Sequence, residues 1–150
     1  AVLAWFISLP LLFAVTAEES VNILDLAGLI LWTIGFLFEA IADIQLAKFK
    51  SHEANNDQVL RTGLWKLTRH PNYFGEMSFW WGMWLFGMSA NLQAWWTVVG
   101  PAAITTMFVF ASIPMLDKRS VERRPAYAAH MKRVSGLIPL PPRRLREDAD

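Results

Sequence analysis

Between Arg61 and Glu76 the chain sets Arg61, Lys66, Arg69 and His70 directly ahead of an amide, Asn72, and a carboxyl, Glu76. Pro71 disfavours helix at His70 and is well tolerated in a first helical turn. The spacing therefore predicts a helix starting at Asn72, with Asn72 and Glu76 one turn apart on one face. A carboxyl inside an apolar span is costly and usually marks a site. Glu39 and Asp43, also one turn apart, sit on the apolar stretch before this one. Two readings of these polar groups stand side by side: a pocket, or hydrogen bonds that hold helices together. The cations would suit a polyanionic ligand such as the phosphates of a dinucleotide, or simply anionic lipid heads. No G-x-G-x-x-G or P-loop occurs, so a nucleotide would be held outside a Rossmann framework. Without cysteine there is no thiolate site. The carboxyls with His52 or His70 show no metal-ligand spacing, so no metal is expected.

The elements that must position these groups are apolar helices. The 150 residues are 54% hydrophobic with eight Trp and ten Phe, more aromatic surface than a short soluble chain can bury. An all-α fold is expected, a polytopic transmembrane bundle forming a single domain over 1–150. About four spans are read: 1–17, 23–47, 72–88 and 95–115, with Trp80, Trp81 and Trp84 closing the pocket and Gly75, Gly82 and Gly87 allowing close packing. Residues 1–17 lack the basic start of a signal peptide and read as the end of a helix in a longer protein. All fourteen Lys and Arg fall between Lys48 and Arg69 or between Lys118 and Arg146. The positive-inside rule makes both segments cytoplasmic. An integral membrane protein, in a bacterial inner membrane, is the expectation; the net charge of +1 gives no sign of nucleic acid.

The run Gly-Leu-Trp-Lys-Leu-Thr-Arg-His-Pro-Asn-Tyr-Phe-Gly-Glu, Gly63 to Glu76, resembles the signature of the steroid 5-alpha-reductase family, closest to its bacterial integral-membrane branch. Gly35 to Gln45 with Phe49 and Lys50 is similar to that branch's preceding helix. Pro114 to Arg124, Tyr127 and Ser135 to Pro142 resemble its C-terminal end. The resemblance implies about seven spans, of which this chain supplies the last four. It also implies NADPH-dependent reduction of a carbon–carbon double bond conjugated to a carbonyl, in a lipophilic steroid- or isoprenoid-like substrate drawn from the bilayer. Carried residue by residue, Asn72 and Glu76 match the nicotinamide end of the cofactor site, Asp43 an acidic contact, and Lys50 a basic position near the phosphates. Arg119 and Arg123 fall on the segment that closes over the nucleotide. With Arg69, His70 and Tyr73 these make up the expected cofactor-binding set. Glu39 stands in place of an amide of the animal enzymes, and His130 where the bacterial branch more often has Tyr. The carbonyl-polarising Glu and Tyr belong to the family's N-terminal helices, so no catalytic residue is assigned here. Isoprenylcysteine and phospholipid methyltransferases, which use S-adenosylmethionine, share Arg-His-Pro-x-Tyr and are the alternative. They typically carry a Glu-Glu pair where this chain has Asp117 and Glu122 apart. A structural or lipid-binding subunit is a third reading, with no use for Asn72 and Glu76.

Overall fold

The computed structural model describes residues 21–55 and 57–144. Within them the chain is helical: α1 (Ile23–Lys50), α2 (Pro71–Ala90), α3 (Val99–Met107), α4 (Ile113–Arg123) and α5 (Tyr127–Arg133). Short 3-10 turns lie at Glu53–Asn55, Gly63–Lys66 and Leu92–Val98, and a π-helical turn at Phe108–Ser112. The span expected over 1–17 lies outside the described residues.

Each boundary has a local cause. Asn22 opens α1 by accepting from the Leu24 amide at 2.8 Å, while Asp25 accepts from the Asn22 amide at 2.9 Å, a reciprocal cap. The helix runs one turn past the expected end at Ala47, and Lys48 and Lys50 in its last turn complement the negative end of its dipole. Pro71 itself opens α2, where its missing N–H is no loss. The turn expected over 89–93 contracts to Asn91, whose side chain accepts from the Gln93 amide at 2.9 Å. Helical structure resumes at once and, with changes of pitch, continues to Arg123, well beyond the expected 95–115. The π turn comes just before Pro114, which cannot donate to the preceding turn and crowds it.

Two helical runs, Ile23–Lys50 and Leu92–Arg123, are long and apolar enough to cross a membrane by length and composition. Only 11% and 28% of their apolar windows are buried within the protein, so neither behaves as the core helix of a soluble domain. Ile23 and Phe110, 74% and 78% exposed, illustrate the point. This is compatible with a membrane protein. The expected span on α2 is less aliphatic: its first turns hold Asn72, Tyr73 and Glu76, and Trp80, Trp81 and Trp84 follow.

The chain divides into two compact units. In the first, residues 21–37 and Gly75–Phe108, α1 and α2 run antiparallel with glycines facing glycines. A Cβ on Gly28 would come 3.0 Å from the Gly82 carbonyl, and one on Gly35 would come 2.6 Å from the Gly75 carbonyl. The Asn22 side chain donates to Ser89 Oγ at 2.7 Å, and Trp81 Nε1 donates to Thr105 Oγ1 at 3.0 Å, so this indole is spent on α3.

The second unit, Phe38–Phe74 with residues 109–144, holds the loop before α2 from both sides. Gly63 (φ 61°) leaves room for the Gln45 side chain, which accepts from the Leu64 amide at 3.0 Å. Trp65 Nε1 donates to the Ala42 carbonyl at 3.1 Å. On the other side Thr68 pairs in parallel with Ser135, and Arg69 N donates to Ser135 O at 2.9 Å. Leu140 N donates to Leu67 O at 3.0 Å, so the tail after α5 is laced to the loop.

Candidate functional site

The second unit is built on Asp117, a carboxylate 4% exposed at the middle of α4. Its Oδ2 accepts from Arg69 Nη2 at 2.7 Å. Its Oδ1 accepts from Arg69 Nε at 3.3 Å, Tyr127 OH at 2.9 Å and His70 Nε2 at 3.0 Å. Four donor bonds converge on this carboxylate, three of them on Oδ1, which makes Asp117 a positioning group. It fixes the His70 tautomer with the proton on Nε2 and leaves the ring stacked on Tyr73, centroids 5.7 Å apart. Arg69 meanwhile caps the end of α5 through Nη1, donating to Met131 O at 3.1 Å and Val134 O at 2.8 Å. The resemblance places Arg69 among the cofactor ligands, yet four of its five donors serve the fold.

Beside this cluster opens a cavity of about 640 Å³. Leu46, Phe49 and Lys50 wall it from one face of α1, Asn72 and Tyr73 from the first turn of α2, and Leu116, Ser120 and Arg123 from one face of α4. Arg69, His70, Tyr127 and His130 complete the polar side, and Asp57 is the wall's carboxylate besides four cations, Lys50, Arg69, Arg123 and Arg124. Arg124 Nη1 donates to the Gln58 carbonyl at 2.7 Å. Its Nε is buried and, among the described residues, has no partner. A cavity of this size matches typical small-molecule pockets, and its charge selects an anion with an apolar portion.

Of the nine cofactor-site residues expected, Lys50, Arg69, His70, Asn72, Tyr73 and Arg123 line this one cavity. Asp43, Glu76 and Arg119 do not. Asp43 is exposed, one turn before Leu46, Arg119 is exposed on α4, and Glu76 is half-buried one turn beyond Asn72. In the sequence Asp117 stands only as one of two separated acids. Its signal was a lone carboxyl at the junction between an apolar run and the basic Lys118-Arg119, where a cation from elsewhere must meet it.

Tyr127 and His130, one turn apart on α5, are both buried. Burial, then the Asp117 charge, raises the Tyr127 hydroxyl above its ordinary value, so it stays a donor. Burial, then Arg61 and Arg69, lowers His130 to about 4, so the folded protein holds it neutral. The unfolded chain takes up this proton below about pH 6.5. Acid therefore favours unfolding between about pH 6.5 and pH 4, and nothing is lost above that window. His130→Gln is expected to remove this part of the acid sensitivity. Melting temperatures at pH 7.5 and pH 5 should converge for the variant relative to wild type, and an unchanged difference would count against a neutral buried His130.

Among curated proteins, the chain is 30% identical over 79 residues to an uncharacterised protein of the fission yeast Schizosaccharomyces pombe, an alignment covering 52% of the chain and 23% of that protein. The chain thus spans about a quarter of that relative's length. No solved structure matches. Residues 1–134 match the family described as "Protein of unknown function (DUF1295)", and the chain belongs to it.

Proposed function

We propose that this chain is the cofactor-binding part of an integral membrane reductase that uses NADPH to reduce a carbon–carbon double bond conjugated to a carbonyl. One observation carries the reading. Lys50, Arg69, His70, Asn72, Tyr73 and Arg123, which the resemblance to steroid 5-alpha-reductases singles out, lie on three separate stretches of sequence and line one cavity. The donor set fits the cofactor: a cationic wall for the phosphates, an Arg124 Nε with no partner among the described residues, and an amide and phenol at Asn72 and Tyr73 for a carboxamide. NADPH, when bound, supplies the hydride. The chain's own residues bind and orient: Lys50, Arg123 and Arg124 hold anionic groups, Asn72 fixes a polar ring, and Asp117 keeps His70 in place. A lipophilic enone arrives from the bilayer, and among the described residues none is assigned to polarise its carbonyl. The basic segments face the cytoplasm.

Heat stabilisation of the detergent-solubilised full-length protein tests the reading, because a ligand of the native state raises the melting temperature. NADPH should stabilise and S-adenosylmethionine should not. Losing a charge-assisted hydrogen bond costs about 1.5–3 kcal/mol, so Lys50→Gln or Arg123→Gln should each weaken NADPH ~10- to 100-fold and flatten its salt dependence. Stabilisation by S-adenosylmethionine alone would transfer the cavity to a methyltransferase. Wild-type NADPH affinity in both folded variants would remove the phosphates from this wall.

A further inference from the structure

His130, 6% exposed on α5, lines the large cavity. On the same polar side His70 gives its Nε2 to Asp117 at 3.0 Å, whereas neither ring nitrogen of His130 has a hydrogen-bond partner among the described residues. Its neighbour Tyr127, one turn away with ring centroids 5.7 Å apart, commits its hydroxyl to Asp117 at 2.9 Å. Among the described residues, the side-chain nitrogens that are both wholly covered and unpartnered are Trp84 Nε1 and Arg124 Nε. Those of His130 are not of this kind, so the ring keeps an opening onto the cavity that it lines. A buried polar group without a partner costs stability, and a side chain kept only for packing has no reason to carry that cost.

The surroundings decide what such a ring can hold. Burial, with Arg61 and Arg69 against the smaller pull of Asp117, keeps it uncharged near neutral pH. A neutral imidazole offers one donor and one acceptor. A phosphate meets a full positive charge at Lys50, Arg123 or Arg124 elsewhere on the wall, and only a neutral donor here. A hydroxyl or an amide can use the donor and the acceptor alike. We infer, on the reading of this cavity as an NADPH site, that His130 is a specificity-determining residue: it hydrogen-bonds an uncharged hydroxyl or amide of the ligand while the cations hold the phosphates. NADPH carries that chemistry in two places, the carboxamide of its nicotinamide and the hydroxyls of its ribose portions.

The test titrates NADPH into the full-length protein in detergent at neutral pH and several salt concentrations, for wild type, His130→Phe and His130→Gln. Phe keeps a ring against Tyr127 and removes both polar atoms; Gln keeps a donor and an acceptor. Without ligand, His130→Phe is expected to melt at or above wild type, because it relieves an unpartnered buried group. Its Kd for NADPH should nevertheless rise about 3- to 10-fold, the loss of one neutral hydrogen bond, with the salt dependence unchanged. His130→Gln should recover part of that affinity. The phosphoadenosine diphosphoribose portion of NADPH, which lacks the nicotinamide, separates the two sources. A penalty in His130→Phe that persists with this fragment places His130 at the ribose portion, and one that disappears places it at the carboxamide. Absence of NADPH binding by wild type removes the cavity reading and the inference with it. Wild-type affinity in a folded His130→Phe protein overturns the inference alone, and so does a His130→Gln protein that binds no better than His130→Phe. A salt dependence flattened as in Lys50→Gln would make His130 a phosphate contact and overturn it as well.

Discussion

Asp117→Ala is expected to cost the folded protein about 3–5 kcal/mol, the range for breaking a buried ion pair from one side. The size follows from what would be left behind. Arg69 and His70 have side chains 12% and 8% exposed, and both would lose their carboxylate. Tyr127 OH, itself buried, would lose the acceptor at 2.9 Å. Asp117→Asn keeps the shape but replaces one acceptor by a donor that faces donors, so it should be nearly as damaging. Arg69→Met/Asp117→Leu removes the charge imbalance and should lose less than the sum of its single changes. It will not be neutral, because Arg69 also satisfies the Met131 and Val134 carbonyls. Equilibrium unfolding in detergent reads these variants, and the single changes Arg69→Met and Asp117→Leu, against wild type. Asp117→Ala within about 1 kcal/mol of wild type would show that the cluster does not organise this unit.

That cluster marks the limit of what the sequence made legible. Helix existence followed from hydrophobic runs, and the start of α2 followed from Pro71, which is local chemistry; Asn22 and Asn91 act as caps that only the structure brings out. The gathering of Lys50, Asn72 and Arg123 on one cavity was reached through the resemblance, not through spacing. Arg69 shows why. As a sequence feature it is one more cation beside His70, equally suited to phosphate or lipid. Its partner lies 48 residues away, and only the fold decides that its guanidinium faces Asp117 and the end of α5. Asp43 and Glu76 failed to reach the cavity for a related reason. Helical periodicity gives the face of a helix, but how far a cavity extends along that face depends on what packs there.

The glycine spacing carries the helix crossing in the sequence itself. Gly75 and Gly82 are seven residues apart on α2, and Gly28 and Gly35 are seven apart on α1, a match that fits two helices crossing antiparallel. Gly35→Leu and Gly82→Leu are therefore expected to have the largest effects in the first unit. At Gly82 even a Cβ would stand 2.6 Å from the Trp32 amide nitrogen and 2.8 Å from the Gly28 carbonyl. At Gly35 it would collide with the Phe79 backbone nitrogen. These neighbours are main chain and cannot swing aside as a side-chain tip would. The helices must separate, and overpacking that ordinarily costs about 1–3 kcal/mol should here exceed that range. Separation also pulls Asn22 from Ser89, whose hydrogen bond is 2.7 Å. Yield and melting temperature of the purified proteins decide it. A Gly82→Leu protein that melts with wild type would mean that α1 and α2 are not packed backbone to backbone at this crossing.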